Sequence, residues 1–283
     1  MSARTPGQHP AAPVPASASA SGDLAGEQRT PETPETSAVP ESSASAAAIH
    51  VRDLHVAYGS VIALSGVTLG LAPGSVTGLV GMNGSGKSTL FSALIGMLPG
   101  ARGEIRLLGK DPAAARTAGL VAFVPQTEVI DRDFPISVRE VVMLGRFGHL
   151  GFTRRPRATD RAAVAAALER VGLTELADRP IGALSGGQRK RAFVARGIVQ
   201  DARILLLDEP FGGVDAVSQT LITGVLRELR DEGRSLLVAT HDLAGIPELC
   251  DEVILLNKRI LFHGDPATAL RPENLALTFG VAP

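Results

Sequence analysis

There is no tryptophan among these 283 residues, one tyrosine (Tyr58) and one cysteine (Cys250). A lone cysteine excludes an intrachain disulfide framework and agrees with a reducing compartment. It reads as a small packed apolar residue rather than a reactive thiol. Long apolar runs are also missing. Nothing approaches the ~18 consecutive residues that cross a bilayer, so any membrane role is expected to come through a partner protein. Residues 1–20 are rich in Ala, Pro and Ser without a continuous apolar stretch, and do not read as a signal peptide. Neither sign of charge is in excess: 28 Lys and Arg face 29 Asp and Glu, a net charge of −1. That balance gives no footing to a general nucleic-acid binder or a polybasic membrane anchor, so no nucleic-acid partner is expected.

What is present is enough apolar material for a sizeable core, 45% of all residues. It is unevenly spread. Residues 1–48 are low-complexity Ala, Ser, Pro, Glu and Thr, including Pro31-Glu32-Thr33-Pro34-Glu35-Thr36, and are expected to form a disordered tail. From Ile49 onward, short Val, Ile and Leu runs alternate with helical patterns. Buried strands are predicted at 76–80, 204–207, 236–239 and 253–256, and helices at 89–97, 162–171 and 218–232. The last of these helices carries Leu221, Ile222, Val225, Leu226 and Leu229 on one face. Strands separated by helices imply crossover connections and a largely parallel α/β sheet. The mostly helical reading between Gln126 and Leu184 implies an insert within that core.

Three motifs carry chemistry. Gly81-Met82-Asn83-Gly84-Ser85-Gly86-Lys87-Ser88-Thr89 fits G-x-x-x-x-G-K-[ST] between a predicted strand and helix. Glycines let the backbone curl so that N–H groups point at phosphate oxygens, and the helix start adds its dipole. Lys87 then reaches the β and γ phosphates, and the Ser88 hydroxyl can ligate Mg²⁺. In Ile204-Leu205-Leu206-Leu207-Asp208-Glu209, a strand ends in two carboxylates at the edge where parallel sheets bind ligands. Asp208 suits Mg²⁺, and Glu209 suits orienting or deprotonating an attacking water. Leu184-Ser185-Gly186-Gly187-Gln188 opens an amphipathic, basic stretch, offering a hydroxyl, bare N–H groups and a helix dipole.

The third motif resembles the signature sequence of ABC-type ATPases, and with it several positions match that family. The resemblance covers about residues 49–271. It implies a P-loop NTPase (RecA-like) core with a mostly parallel sheet, an antiparallel β extension and an inserted α-helical subdomain at about 127–188, leaving 272–283 as a C-terminal tail. It implies ATP as ligand, with Ser185, Gly186, Gly187 and Gln188 of one subunit closing on ATP held by Gly81, Asn83, Gly84, Ser85, Gly86, Lys87, Ser88 and Thr89 of another. Tyr58 matches the aromatic that stacks on adenine, and Gln126 the glutamine that touches Mg²⁺ or water. Asp215 matches an interface aspartate, and His241 the histidine that senses the γ-phosphate. Since each site needs a phosphate loop and an opposing signature, a chain with one cassette is expected to dimerise. Only 97 positions separate Lys87 from Leu184, too few for the coiled-coil arms of chromosome-maintenance relatives. Translation-factor relatives usually carry two cassettes.

Within the insert, the run from Asp131 to Phe152 resembles the ATPases of manganese, chelated-iron and zinc importers, with parts shared by siderophore importers. Residues 208–215 resemble the same group, with Gly212 where Thr is commoner. The implied partners are membrane permease subunits, with a periplasmic or surface substrate-binding protein contributing indirectly, and the implied place is the cytoplasmic face of the cell membrane. Phe134, Ile136, Phe147 and Phe152 are candidates for a groove that receives a permease helix, or for internal packing of the insert. Arg154, Arg155, Arg157 and Arg161 read as a solvated face. His149 lacks companions for a metal site, so no transported metal is expected on this subunit.

Overall fold

A computed structural model describes residues 47–126, 135–152 and 154–280. The expected tail lies outside the described residues except for Ala47 and Ala48. Ala48 is itself buried and donates its N–H to Leu71 O at 2.8 Å, so it belongs to the folded body.

The described residues open with β1 (Ile49–Tyr58), β2 (Val61–Leu71) and β3 (Val76–Val80), followed by α1 (Lys87–Leu94), β4 (Arg102–Leu107), α2 (Pro112–Thr117) and β5 (Val121–Val124). The insert contributes α3 (Val138–Leu144) and α4 (Ala158–Arg170), and α5 (Gly186–Ile198) leads back to the core. Then come β6 (Ile204–Asp208), α6 (Ala216–Asp231), β7 (Ser235–Ala239) and α7 (Ile246–Leu249). The chain closes with β8 (Glu252–Asn257), β9 (Arg259–Gly264), α8 (Pro266–Ala269) and α9 (Pro272–Phe279). An antiparallel sheet has the order β2-β1-β4. The central sheet has the order β5-β6-β7-β3-β8-β9, parallel except for the β8–β9 pair.

The central strands are buried on both faces, as crossover sheets require. In β6, Leu205 and Leu207 join a cluster with Val124, Leu236 and Val238 beneath α3 to α6. Ile204 and Leu206 turn the other way, toward Leu79, Leu237, the α1 residues Leu90, Phe91 and Leu94, and the antiparallel sheet. This two-sided burial explains why these strands read as continuous apolar runs. Cys250 sits in the first cluster, where burial pushes its thiol up to about 12, so it behaves as packing material.

Two expectations need correction. Leu221 lies on the exposed side of α6, while Ile222, Val225, Leu226 and Leu229 form the buried stripe, which fills the contact without it. Residues 272–279, expected within a tail, form α9. Pro272 occupies its first turn, Gly280 ends it in the left-handed region at φ 66°, Thr278 is fully buried and Phe279 packs on the first cluster.

Candidate functional site

Register assembles the site. Leu79 and Asp208 both pair with Ala239, so β3, β6 and β7 end at one level. The segments leaving them are the phosphate loop, Glu209 and His241, which meet at the C-terminal edge of the sheet, where α/β folds bind ligands.

The phosphate loop needs its glycines. Gly86 caps α1 at φ 104°, and a Cβ there would strike Leu64 and Ala63 O; a Cβ on Gly81 would strike Leu256 O and Ser85 Oγ. Beneath the loop, Ser85 is buried, and its hydroxyl has no hydrogen-bond partner among the described residues. Lys87 is buried as well, and its Nζ donates to Gly81 O at 2.6 Å and Met82 O at 3.2 Å. The ammonium is thus folded onto its own loop.

A cleft of about 260 Å³ opens above the loop. Asn83, Gly84, Gly86, Lys87, Ser88 and Thr89 line it together with Gln126, Asp208 and Glu209. Ser88 Oγ donates to Asp208 Oδ2 at 3.2 Å. Burial raises the Asp208 pKa, and neighbouring Glu209 pushes the same way against the hydroxyl and Lys87. Glu209 is buried in a left-handed conformation at φ 52°, rare for a side chain of its size. Its Oε2 lies 2.7 Å from His241 Nδ1, while the rest of the imidazole is exposed. Gln126 is held through its backbone carbonyl, which accepts from Lys190 Nζ at 2.6 Å. The donor set of hydroxyl, carboxylate and amide oxygen suits Mg²⁺, which takes few protein ligands and keeps water and phosphate oxygens.

Other expected residues stand apart from the cleft. Tyr58 ends β1 half-exposed, beside Val61 and Ile62, which are also exposed. Ser185 caps α5, its Oγ accepting from Gln188 N at 3.2 Å, and Gln188 Oε1 accepts from Ser185 N at 2.9 Å. Gly186 and Gly187 form the first turn, and no residue from 185 to 188 lines the cleft. Asp215 caps α6 through Ser218 N at 2.9 Å. Met82 and Ala63 line the cleft without having been singled out in sequence; Ala63 comes from β2, which no motif marks.

The ABC transporter family pattern matches residues 64–212, more than half of the chain and spanning both the phosphate loop and the signature. The chain belongs to the ABC transporter ATPase family. The manganese transport system ATP-binding protein MntA of Synechocystis is 47% identical over 83% of this chain and 91% of its own. The zinc transport system ATP-binding protein TroB of Treponema pallidum is 41% identical over 85% and 90%. Among solved structures, the ADP conformation of the ATP-binding cassette MJ1267 superposes with a TM-score of 0.71 at 25% identity, covering 83% and 99%. Membership makes this chain an ATP-binding, ATP-hydrolysing component of an ABC transporter. No helix among the described residues is long and apolar enough to cross a membrane, and members of this family work with membrane subunits.

Proposed function

We propose that this ABC ATPase works as one half of a homodimeric nucleotide sandwich that drives import of manganese, iron or zinc, free or chelated, through permease subunits. The observation that carries the sandwich is a division within one chain. Lys87, Ser88, Asp208 and Glu209 line a single cleft, whereas Ser185 to Gln188 line none of it. A second copy supplies the missing wall, bringing a helix N-terminus and bare glycine N–H groups to the γ-phosphate. The metal cargo is supported by the names of the relatives and by the sequence of the insert.

Within each cleft the loop N–H groups and Lys87 hold the β and γ phosphates. Tyr58 offers an exposed ring for the adenine. Ser88 and Asp208, with Gln126, hold Mg²⁺, which when bound neutralises phosphate charge. Glu209 orients and accepts a proton from the attacking water, and His241, in contact with Glu209, reaches toward the γ-phosphate. Asp215 stands at the interface with the second copy. Leu144, Phe147 and Phe152 are exposed apolar residues on the insert, with the Arg154 guanidinium 4.2 Å above the Phe147 ring. They form the face offered to a permease on the cytoplasmic side of the membrane. Of the other groove candidates, Ile136 packs against the core and Phe134 lies outside the described residues. A periplasmic or surface-anchored binding protein delivers cargo to the permease.

The test of the sandwich is Glu209→Gln in the full chain, followed by light scattering with ATP and Mg²⁺. The expected outcome is a stable dimer with turnover reduced about a hundredfold or more; a monomer hydrolysing at the wild-type rate contradicts the assignment. Cargo is tested by elemental analysis of cells lacking the chain. Loss of one of the three metals supports the reading, and unchanged content of all three overturns it.

A further inference from the structure

The first turn of α6 touches two parts of the machinery at once. On one side it lies against the signature. A Cβ on Gly187 would come within 2.7 Å of both Asp215 Oδ2 and Ser218 Oγ, so only glycine allows this approach. Ser218 is buried and binds Asp215 through its N–H at 2.9 Å and its hydroxyl at 3.0 Å. On the other side, the next residue, Gln219, donates from Nε2 to Asp242 Oδ2 at 2.7 Å.

Asp242 is an organising residue of the segment after β7. Its N–H donates to buried Thr240 Oγ1 at 3.0 Å, and its Oδ1 accepts from Ala244 N at 3.1 Å. These bonds fix the turn locally, while Gln219 ties the same carboxylate to a different element. Gly245 packs closely beside the pair, since a Cβ there would lie 3.5 Å from Asp242 Oδ2 and 3.7 Å from Gln219 Nε2. The residue preceding Asp242 is His241, whose ring is exposed except for its contact with Glu209. A ring so little packed takes its aim from its backbone, and that backbone is held through Asp242.

We propose that Gln219 is a positioning residue that couples the signature to hydrolysis. A displacement of Gly187 moves the first turn of α6, Gln219 carries it to Asp242, and the turn carries His241 and Glu209 with it. The amide is the suitable group because it gives a hydrogen bond to the carboxylate without adding charge between Asp215, Asp242 and Glu209. The inference rests on the reading in which Glu209 and His241 serve ATP hydrolysis.

The test compares ATP hydrolysis by the full chain in wild type, Gln219→Leu, Gln219→Glu and the pair Gln219→Glu with Asp242→Asn. The leucine keeps the bulk but donates nothing. The glutamate faces Asp242 with like charge. The pair exchanges donor and acceptor, so an amide-to-carboxylate hydrogen bond returns. Expected are a kcat lower by about tenfold in the leucine variant and by at least as much in the glutamate variant, with KM for ATP within about twofold, because small misplacements of reacting groups act on kcat. The pair is expected to recover to within about threefold of wild type, consistent with a restored hydrogen bond. Wild-type kcat in both single variants overturns the proposal, as does a folded pair that recovers nothing. Equal losses of ATP affinity and melting temperature overturn it too, since they mark plain helix packing. Glu209→Gln belongs in the same series. Its loss of activity beside intact Gln219 variants removes this inference alone, whereas its full activity removes the underlying reading and this inference with it.

Discussion

Lys87 Nζ donates two hydrogen bonds to its own loop, at 2.6 Å to Gly81 O and 3.2 Å to Met82 O. Those carbonyl bonds hold the ammonium at the cleft, ready to exchange for phosphate oxygens. Lys87→Ala is therefore expected to weaken ATP binding at least about tenfold while leaving the fold in place, since charge-assisted bonds to phosphate are each worth about 1.5–3 kcal/mol; nucleotide titration reads it. Asp208 leads to a pH prediction. Its pKa is raised by burial, and under the proposed function it would bind Mg²⁺ as the carboxylate. As pH falls toward that raised value the proton competes with the metal, so the Mg²⁺ needed for nucleotide binding should rise as the solution is made more acidic. Asp208→Asn, which cannot titrate, should bind Mg²⁺ poorly throughout. A Mg²⁺ requirement independent of pH in the wild type contradicts that role. Lys87, Ser88, Asp208 and Glu209 were legible because each stands in a motif with fixed spacing, whereas Ala63, on β2, stands in none. Gln219 and Asp242 were not legible, because their contact is 23 positions apart and belongs to no pattern.

At the scale of elements, the caps are where fold and site coincide. Ser185 caps α5 in a reciprocal pair with Gln188, and the same hydroxyl is assigned to the γ-phosphate of the opposing copy. Ser185→Ala should cost about 1 kcal/mol as a lost cap, a fall of about 2–4 °C in Tm. Its effect on hydrolysis should be far larger, about a hundredfold. A loss of turnover no greater than the loss of stability predicts would reduce Ser185 to a cap. The insert has its own anchor. Arg146 Nε donates to buried Asp160 Oδ1 at 3.0 Å, and its Nη1 to Val199 O at 3.1 Å at the end of α5. The Arg157 N–H first, and then Arg146, hold the Asp160 pKa below its ordinary value. A depressed carboxylate stabilises the fold above its unfolded pKa, and that contribution fades as pH falls through the folded value. Asp160→Asn should thus lower the urea midpoint at pH 7, with the difference shrinking as pH drops below the ordinary carboxylate range. The strands β3, β6, β7 and β8 were readable because burial on both faces gives uninterrupted apolar runs. The β1–β2 hairpin and β4 carry weaker, one-sided alternation with bulges, and only the family resemblance announced them. The Pro272 and Gly280 punctuation of α9 was present in the sequence but sat beyond the resembling region.

At the scale of the whole molecule, one fact governs the account. The signature does not line the phosphate cleft of its own chain, and the proposed sandwich completes each site with a second chain. Mixing two inactive variants tests this directly. Lys87→Ala disables the cradle and Ser185→Arg blocks the lid. In a mixed dimer of one of each, one site gathers both lesions and the other is intact. Each variant alone is expected to be nearly inactive, and an equimolar mixture should regain on the order of a quarter of wild-type hydrolysis, the statistical yield of intact sites in a symmetric pair. A mixture no more active than its components, or a Ser185→Arg chain fully active as a monomer, contradicts the two-chain site.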